Sequence, residues 1–434
     1  MDNTPKGNRL HIALLGRTNV GKSSLLNLML GQDIAITSPI AGTTTDIVEK
    51  AMELLPLGPV LFLDTAGLDD ISELSGARLK KTAKVFDRTD VIILVTEPDT
   101  WTDYEESVLK KSKTRKIPML IVINKIDLHK PSPDHLKFLQ SKSERILTVS
   151  CNDETKRQNY LEALKQQLLE VAPEDFLGTP SLIGDLLPPG GLAILVVPID
   201  LQAPKGRLIL PQVQTIRDAL DNDAMTLVVK ERELAPALAN LKNPPAIVVT
   251  DSQAILKVTA DVPKEIPVTT FSILFARQKS DLNIMARGAA TIESLQPGDR
   301  VLIAEACSHH ALEDDIGRVK IPRWLRQYAG GDLRIDISSG RDYPDDLKKY
   351  KLILHCGACM INRREMLNRL RKAQEAGVPV TNYGVAISFL QGVISRSLAP
   401  FPSALSAFEN EMIKYINDGL QGLIENERST IYFS

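Results

Sequence analysis

Residues 10–31 read LHIALLGRTNVGKSSLLNLMLG, and this stretch decides the fold of the first part of the chain. Between a short apolar strand and an apolar helix, Gly16 to Ser23 match the pattern G-x-x-x-x-G-K-[ST]. Glycines in such a loop let backbone N–H groups surround phosphates, the lysine neutralises the β- and γ-phosphates, and the serine hydroxyl binds Mg²⁺. The stretch therefore predicts a nucleotide-binding loop whose contacts are Gly16, Asn19, Gly21, Lys22, Ser23 and Ser24.

Two motifs further along the chain identify the nucleotide. Asp64-Thr65-Ala66-Gly67 ends an apolar strand, so the aspartate can hold Mg²⁺ through water and the last N–H can bind a γ-phosphate. Asn124-Lys125-Ile126-Asp127 ends another strand, and a carboxylate there accepts both N–H groups on the N1/N2 edge of guanine, which adenine lacks. Three motifs in this order predict GTP as the substrate. The predicted contacts outside the phosphate loop are Thr44, Asp64 and Gly67 for Mg²⁺ and phosphate, and Asn124, Lys125, Asp127, Ser150 and Cys151 for the base.

Short apolar runs alternate with amphipathic helical stretches along the whole chain, which is typical of parallel sheets covered by helices. A Pro/Gly-rich segment at 179–191 separates the first block from two further blocks. We therefore predict an α/β protein with a P-loop GTPase domain at 1–175, followed by two small α/β domains with mainly parallel sheets at 180–262 and 263–434. Residues 268–277, VTTFSILFAR, are predicted to be a strand of the third domain.

Composition limits the classes of protein that the chain can represent. The 434 residues are 43% hydrophobic and 24% charged, as in a soluble globular protein of about three domains. With 52 basic and 54 acidic residues the formal net charge is -2, which argues against nucleic acid as an obligatory partner. The sequence lacks a signal-peptide pattern and an apolar run of membrane-spanning length, so we expect a cytoplasmic protein without membrane contact. In that reducing compartment, its four cysteines indicate metal or redox chemistry rather than disulfides.

Three of the cysteines share the C-terminal third of the chain with several histidines. Cys307 and His309 follow one predicted strand, whereas His355, Cys356 and Cys359 end or follow another. The carboxyl ends of parallel strands meet at one edge of a sheet, so three thiolates can surround one centre there. Thiolates at this spacing bind Zn²⁺ or an iron–sulfur cluster, and the pattern alone leaves both open. Three buried structural cysteines are the alternative, which the paired histidines and the strand-end positions disfavour.

Residues 9–170 resemble the GTPases of the Era and tRNA-modification type. In that group a hydrophobic residue replaces the usual catalytic glutamine, and Leu68 fits this pattern. The resemblance implies that Asn19 binds K⁺, which takes the charge-stabilising role of an arginine finger, and that Glu73 orients the attacking water. A solvated position at a helix start is the alternative for Glu73. The chain departs from the group at Thr45, where arginine is common. The predicted catalytic residues are Lys22, Asn19, Thr44, Gly67 and Glu73.

The whole chain resembles the maturation GTPases of [FeFe]-hydrogenase, the HydF family, because a GTPase domain and a middle domain precede a C-x-H…H-C-x-x-C domain. The resemblance implies that Cys307, Cys356 and Cys359 bind a [4Fe–4S] cluster. It also implies a scaffold that carries the di-iron precursor, works with two radical-SAM maturases, delivers to apo-[FeFe]-hydrogenase and forms a homodimer through the middle domain. His309 and His355 are candidates for the fourth cluster ligand or for residues that support the ligands by hydrogen bonds. Glu305 and Asp336, taken to lie near strand ends as well, could supply a carboxylate ligand instead.

The expected function is that of a GTPase with slow, K⁺-stimulated turnover that uses GTP, Mg²⁺, K⁺ and a [4Fe–4S] cluster, with a di-iron subcluster as cargo. Slow turnover is expected because the sequence offers no evident arginine finger beyond Arg17 in the phosphate loop. One alternative is a GTPase for RNA modification or ribosome assembly with a structural Cys/His zinc domain. Another is a binding module with a vestigial GTPase fold, against which the intact Lys22, Ser23, Asp64 and Asp127 argue.

Overall fold

The computed structural model of the chain describes residues 4–30, 48–64, 83–173, 176, 180–198, 208–306, 315–340 and 342–431. Two compact units are present, residues 1–179 and residues 180–434. Each unit contains parallel sheet flanked by helices, which confirms the predicted α/β class. Among the helices of the described residues, none has both the length and the apolar character needed to cross a membrane.

The first unit is built on one six-stranded sheet with the order β2-β3-β1-β4-β5-β6. All of its neighbouring strands are parallel except the antiparallel pair of β2 and β3, and all six residues of β1 are buried. A strand buried on both faces reads as a continuous apolar run, which is why the sequence predicted β1, β3, β4 and β5. The partly buried edge strand β6 was predicted from the run RILTVS, whereas the charged edge strand β2 was missed. The strands are β1 Leu10–Leu15, β2 Val48–Leu54, β3 Gly58–Asp64, β4 Val91–Thr96, β5 Met119–Ile123 and β6 Ile146–Thr148.

Side-chain caps determine where helices of this unit begin. The Thr102 hydroxyl accepts the Tyr104 N–H at 3.3 Å, and the Glu105 carboxylate accepts the Thr102 N–H at 2.8 Å, so the two residues form a capping box. Ser132 caps the next helix by accepting the His135 N–H at 3.2 Å. The helices are α1 Lys22–Leu30, α2 Asp103–Thr114, α3 Pro133–Lys142 and α4 Arg157–Val171.

The second unit begins with a four-stranded parallel sheet in the order β10-β9-β7-β8. Residues 268–270 form β10 of this middle sheet, and the following residues, Phe271–Lys279, form a helix capped by Thr270. The prediction of one strand over 268–277 is therefore wrong, and its short strand pairs with the middle sheet rather than with the third. The elements are β7 Leu192–Val196, β8 Met225–Val229, β9 Ile247–Thr250, β10 Val268–Thr270, α5 Leu210–Asp221, α6 Leu234–Asn240, α7 Ile255–Asp261, α8 Phe271–Lys279 and α9 Leu282–Ala290.

A second four-stranded parallel sheet, in the order β12-β11-β13-β14, completes this unit. In the register of β11 and β13, Ala304 lies opposite His355, so the two strands end at the same edge. The two sheets of the unit share one hydrophobic cluster of buried residues, which extends from Leu182 to Phe408. The elements are β11 Arg300–Ala304, β12 Arg334–Ser338, β13 Leu352–His355, β14 Val380–Asn382, α10 Ile321–Ala329, α11 Arg363–Glu375, α12 Tyr383–Leu390, α13 Ile394–Leu398 and α14 Pro402–Ile431.

Candidate GTP site and candidate metallocluster site

The phosphate loop connects β1 to α1 and needs glycine at two positions. Gly16 has φ +154°, and a Cβ there would collide with the Val95 carbonyl. Gly21 has φ +96°, and a Cβ there would collide with Nδ2 of Asn124. Neither position can hold a side chain without displacing its neighbour. The absence of side chains at these two positions lets the loop lie close against Val95 and Asn124, which suits a loop that binds phosphate through its backbone.

Lysine 22 is buried beneath this loop. The Lys22 Nζ donates to the Gly16 carbonyl at 2.7 Å and to the Arg17 carbonyl at 2.9 Å. Ser23 and Ser24 are exposed at the start of α1, and Asn19 is exposed on the loop with φ +65°. The structure thus brings all the predicted phosphate-loop residues to one face of the first unit, with the lysine charge held at its centre.

The Arg17 side chain is held by acidic groups that sequence reasoning did not identify. Its Nε donates to Glu105 Oε1 at 2.9 Å, and Glu105 is fully buried. Its Nη2 lies 3.9 Å from Glu97, which also receives Lys125 Nζ at 2.5 Å. These carboxylates hold the Arg17 side chain in place.

The predicted base-contacting residues form one connected group. Asn124 is buried at the end of β5, where its Nδ2 donates to the Val20 carbonyl at 3.0 Å and its Oδ1 accepts the Cys151 N–H at 3.2 Å. Ser150 Oγ donates to Asp127 Oδ1 at 2.6 Å, which orients that carboxylate. Burial raises the pKa of the Cys151 thiol to about 11, so this cysteine is neutral at ordinary pH. Asn124 therefore ties the phosphate loop to the guanine-contacting loop.

Of the remaining predicted GTPase residues, Asp64 alone lies within the part of the chain that the structure describes. Asp64 is the last residue of β3 and is 9% exposed, so it lies at the same sheet edge as the phosphate loop that follows β1. Thr44, Thr45, Gly67, Leu68 and Glu73 lie outside the described residues.

The second candidate site is the turn between β13 and α11, which carries Cys356 and Cys359. The Cys356 N–H donates to the Ala304 carbonyl at 3.0 Å, so this turn is attached to the end of β11. The Cys356 Sγ accepts the Ala306 N–H at 3.1 Å, and Ala358 holds the turn in a left-handed conformation with φ +56°. Burial raises the pKa of the Cys356 thiol, while the N–H groups of Ala358 and Ala306 lower it.

The Cys356 sulfur, with the N–H groups of Ala306 and Ala358 beside it, has the surroundings of a metal-binding thiolate. N–H groups directed at sulfur stabilise the thiolate that a zinc ion or an iron–sulfur cluster requires, and a bound cation would offset the cost of burial. Cys307 and His309 lie outside the described residues, as does His310. Within the described residues, no three His, Cys, Asp or Glu side chains are arranged to hold a metal ion.

His355, a predicted candidate for the fourth ligand, uses both ring nitrogens inside the protein. It is fully buried, its Nδ1 lies 3.0 Å from the Cys356 carbonyl, and its Nε2 lies 3.1 Å from Nη1 of Arg369. Burial first, and then the Arg369 charge, lower its pKa to about 3, so the ring is neutral. In this arrangement His355 can bind a metal only by giving up one of these two partners.

The two carboxylate candidates have protein partners as well. Glu305 follows β11 at the expected edge, but its Oε2 accepts Arg318 Nη2 at 2.9 Å and Ser339 Oγ at 3.2 Å. Asp336 lies in the middle of β12 rather than near its end, which corrects the sequence-based placement. The strand continues for two residues beyond it, and its carboxylate accepts the Tyr350 hydroxyl at 2.8 Å.

Comparisons with known proteins divide the chain in the same order as its sheets. Residues 11–125 match the sequence model of a 50S ribosome-binding GTPase. Residues 182–280 match the hydrogen maturase F dimerization domain, and residues 283–400 match the hydrogen maturase F tetramerization domain. The GTPase part is thus followed by two domains of one maturase family.

Two curated relatives each match less than half of this chain. The tRNA modification GTPase MnmE of Prochlorococcus marinus is 41% identical over 134 residues, which cover 30% of this chain and 28% of that protein. MnmE of Bordetella parapertussis is 34% identical over 185 residues, covering 38% of this chain and 41% of that protein. This chain therefore spans less than half the length of these relatives. Among solved structures, Aquifex aeolicus Era bound to GDP and AlF₄⁻ is 18% identical, with a TM-score of 0.30 over 77% of this chain and 95% of that one.

Proposed function

We propose that this chain, which belongs to the hydrogen maturase F family, is a GTP-hydrolysing scaffold that binds a [4Fe–4S] cluster. We propose further that it assembles or carries the di-iron precursor and transfers it to apo-[FeFe]-hydrogenase. The observation that carries this proposal is the coexistence of two sites in one chain. A closed phosphate loop joined to a guanine loop lies in the first unit, and a sulfur-presenting turn lies at a sheet edge in the second.

Hydrolysis of GTP in this proposal depends on positioning and charge neutralisation. Lys22 neutralises the β- and γ-phosphates, and Asp127, oriented by Ser150, reads the guanine edge. Ser23, Asp64 and Thr44 hold Mg²⁺, while Gly67 binds the γ-phosphate. The exposed Asn19 binds K⁺, and Glu73 orients the attacking water. Turnover is slow because Arg17 is anchored by Glu105 and provides no finger.

The cluster in this proposal is held by Cys307, Cys356 and Cys359, with one position for His309, His355, Glu305 or Asp336. Bound there, the cluster supplies iron at which cargo can coordinate. The contacts of His355, Glu305 and Asp336 with Arg369, Arg318 and Tyr350 support His309 over these three for the fourth position.

The remaining parts of the proposal concern organisation and partners. We propose three domains in a cytoplasmic homodimer formed through the middle domain. The sequence predicts the bounds 1–175, 180–262 and 263–434, but β10 at 268–270 pairs with β9 of the middle sheet, so the middle domain extends past residue 262. The names of the two matched maturase domains support self-association. The partners are two radical-SAM maturases and the apo-hydrogenase, and nucleic acid is not an obligatory partner.

The proposal is tested by cargo transfer from the loaded full-length chain to apo-[FeFe]-hydrogenase, with hydrogenase activity as the readout. Transfer should be detectable and should differ among GTP, GDP and no nucleotide, because γ-phosphate and Mg²⁺ order switch loops that hydrolysis releases. Absence of transfer with every nucleotide would reject the carrier role. Equal transfer in the three conditions would reject the coupling to GTP.

The curated relatives favour one alternative, a GTPase for RNA modification or ribosome assembly, because their similarity to this chain lies in the GTPase part. In that alternative the cysteines hold a structural zinc ion, and the purified protein is colourless. Metal analysis therefore separates the two functions.

A further inference from the structure

Arg369 on α11 is a buried arginine with an unusually complete set of partners. It is 4% exposed. Its Nη1 lies 3.1 Å from His355 Nε2, and its Nη2 donates to the Gly340 carbonyl at 2.7 Å and to Glu365 Oε1 at 3.1 Å. Its guanidinium lies 5.2 Å from the centroid of the Tyr343 ring. A buried charge is costly unless it is paired and hydrogen-bonded, so these contacts together hold Arg369 in one position.

The geometry fixes the proton on His355. Arginine has only donors, so His355 Nε2 must accept the hydrogen bond from Arg369. The proton of the neutral ring therefore resides on Nδ1, which donates to the carbonyl of Cys356 at 3.0 Å. A continuous chain of contacts thus leads from the Arg369 guanidinium to the backbone of a cysteine that presents sulfur at the sheet edge.

We propose that Arg369 is a positioning residue for the metallocluster: through His355 it holds the Cys356 carbonyl, and thereby the turn that presents Cys356 and Cys359. Its positive charge also stabilises the negative charge of the cluster thiolates. This inference rests on the proposed function, in which these cysteines bind a [4Fe–4S] cluster. It assigns His355 to the support of the turn rather than to ligation.

The experiment compares three full-length variants with the wild type. Arg369→Gln removes both the positive charge and the planar guanidinium that donates hydrogen bonds through two nitrogens. Arg369→Lys keeps the positive charge but not that hydrogen-bonding geometry. Arg371→Gln is the matched control, because Arg371 lies on the same helix with a half-exposed side chain, 3.7 Å from Glu375. Each protein is reconstituted anaerobically with iron and sulfide. The rate of iron loss to a chelator and the reduction potential of the cluster are then measured.

Arg369→Gln should lose iron at least about tenfold faster than wild type, which corresponds to about 1.4 kcal/mol. Its reduction potential should fall, because loss of a nearby positive charge disfavours the more negative reduced cluster. Arg369→Lys should restore the potential but not the retention of iron. Arg371→Gln should match the wild type in both measurements. Wild-type retention and potential in Arg369→Gln would overturn the inference.

Two further measurements show whether a change in iron retention comes from misfolding of the variant, and the metal content of the wild type tests the proposed function independently. GTP hydrolysis by the first unit and thermal unfolding of the metal-free protein report whether each variant folds. If Arg369→Gln does not fold, Arg369→Lys decides, and unchanged iron retention in that variant overturns the inference. If the wild type holds zinc and no iron, the cluster proposal fails. The rate of zinc release from the same variants then tests the positioning role. Arg369→Gln should release zinc at least about tenfold faster than the wild type, which corresponds to about 1.4 kcal/mol.

Discussion

The substitution Asn124→Ala tests whether one buried amide joins phosphate binding to base binding. The Asn124 side chain is 2% exposed and makes two hydrogen bonds, from Nδ2 to the Val20 carbonyl and from the Cys151 N–H to Oδ1. Each such bond contributes about 1 kcal/mol net, and leaving a buried partner unsatisfied costs about 1–3 kcal/mol. We therefore expect the free energy of unfolding of the first unit to fall by about 3 kcal/mol. The same lost contacts should also weaken nucleotide binding.

The assay is equilibrium binding of a fluorescent GTP analogue by the full-length protein, together with thermal unfolding. Asn124→Ala should weaken binding by at least about tenfold, since loosening both loops raises the free energy of the bound geometry by about 1.4 kcal/mol or more. The matched control is Asn159→Ala, because Asn159 is exposed on α4. An affinity for Asn124→Ala within about threefold of the wild type, a difference below about 0.7 kcal/mol, would refute the reasoning.

Three other substitutions test single residues of the two sites, and two of them have a matched control substitution. Gly21→Ala should abolish nucleotide binding, because its φ is +96° and a Cβ would strike the amide that bridges the two loops, whereas Gly58→Ala, at φ +97° in open space, should leave binding unchanged in the same titration. Cys356→Ser should remove the bound iron while GTP hydrolysis continues, and Cys151→Ser should keep the iron; loss of hydrolysis in the first or of iron in the second would contradict this. Asn19→Ala should remove the difference between hydrolysis rates in KCl and NaCl, and equal rates already present in the wild type would exclude a K⁺ role.

The phosphate loop could be predicted from sequence because its chemistry is contiguous. The strand, the two glycines and the lysine that bind phosphate occupy neighbouring positions, and each residue type is required there. The bridging role of Asn124 could not be predicted, since Val20 is more than a hundred residues away in sequence.

The wrong strand prediction over 268–277 and the missed strand β2 both have local physical causes. The run FSILFAR is apolar except for Ser272 and Arg277, and it is too short for its periodicity to distinguish a buried strand from a buried helix. The strand β2, VEKAMEL, carries charges at a sheet edge and therefore gives no continuous apolar signal.

The roles of Arg369 and His355 beside the cysteine turn could not be predicted from sequence for a different reason. Arg369 lies in the highly charged helix RREMLNRLRKAQE, where one arginine looks like any solvent-facing residue. Its burial depends on the Gly340 carbonyl and the Tyr343 ring, which reach it only in the folded chain. The sequence leaves open whether His355 is a cluster ligand or a residue that supports the ligands, and the tertiary contact with Arg369 favours the supporting role.

The content of iron, sulfide and zinc in the anaerobically purified full-length protein, measured with its visible spectrum, decides whether the chain holds a [4Fe–4S] cluster. We predict a brown protein with about four iron and about four sulfide per chain, as such a cluster requires. A colourless protein with zinc and no iron would contradict it.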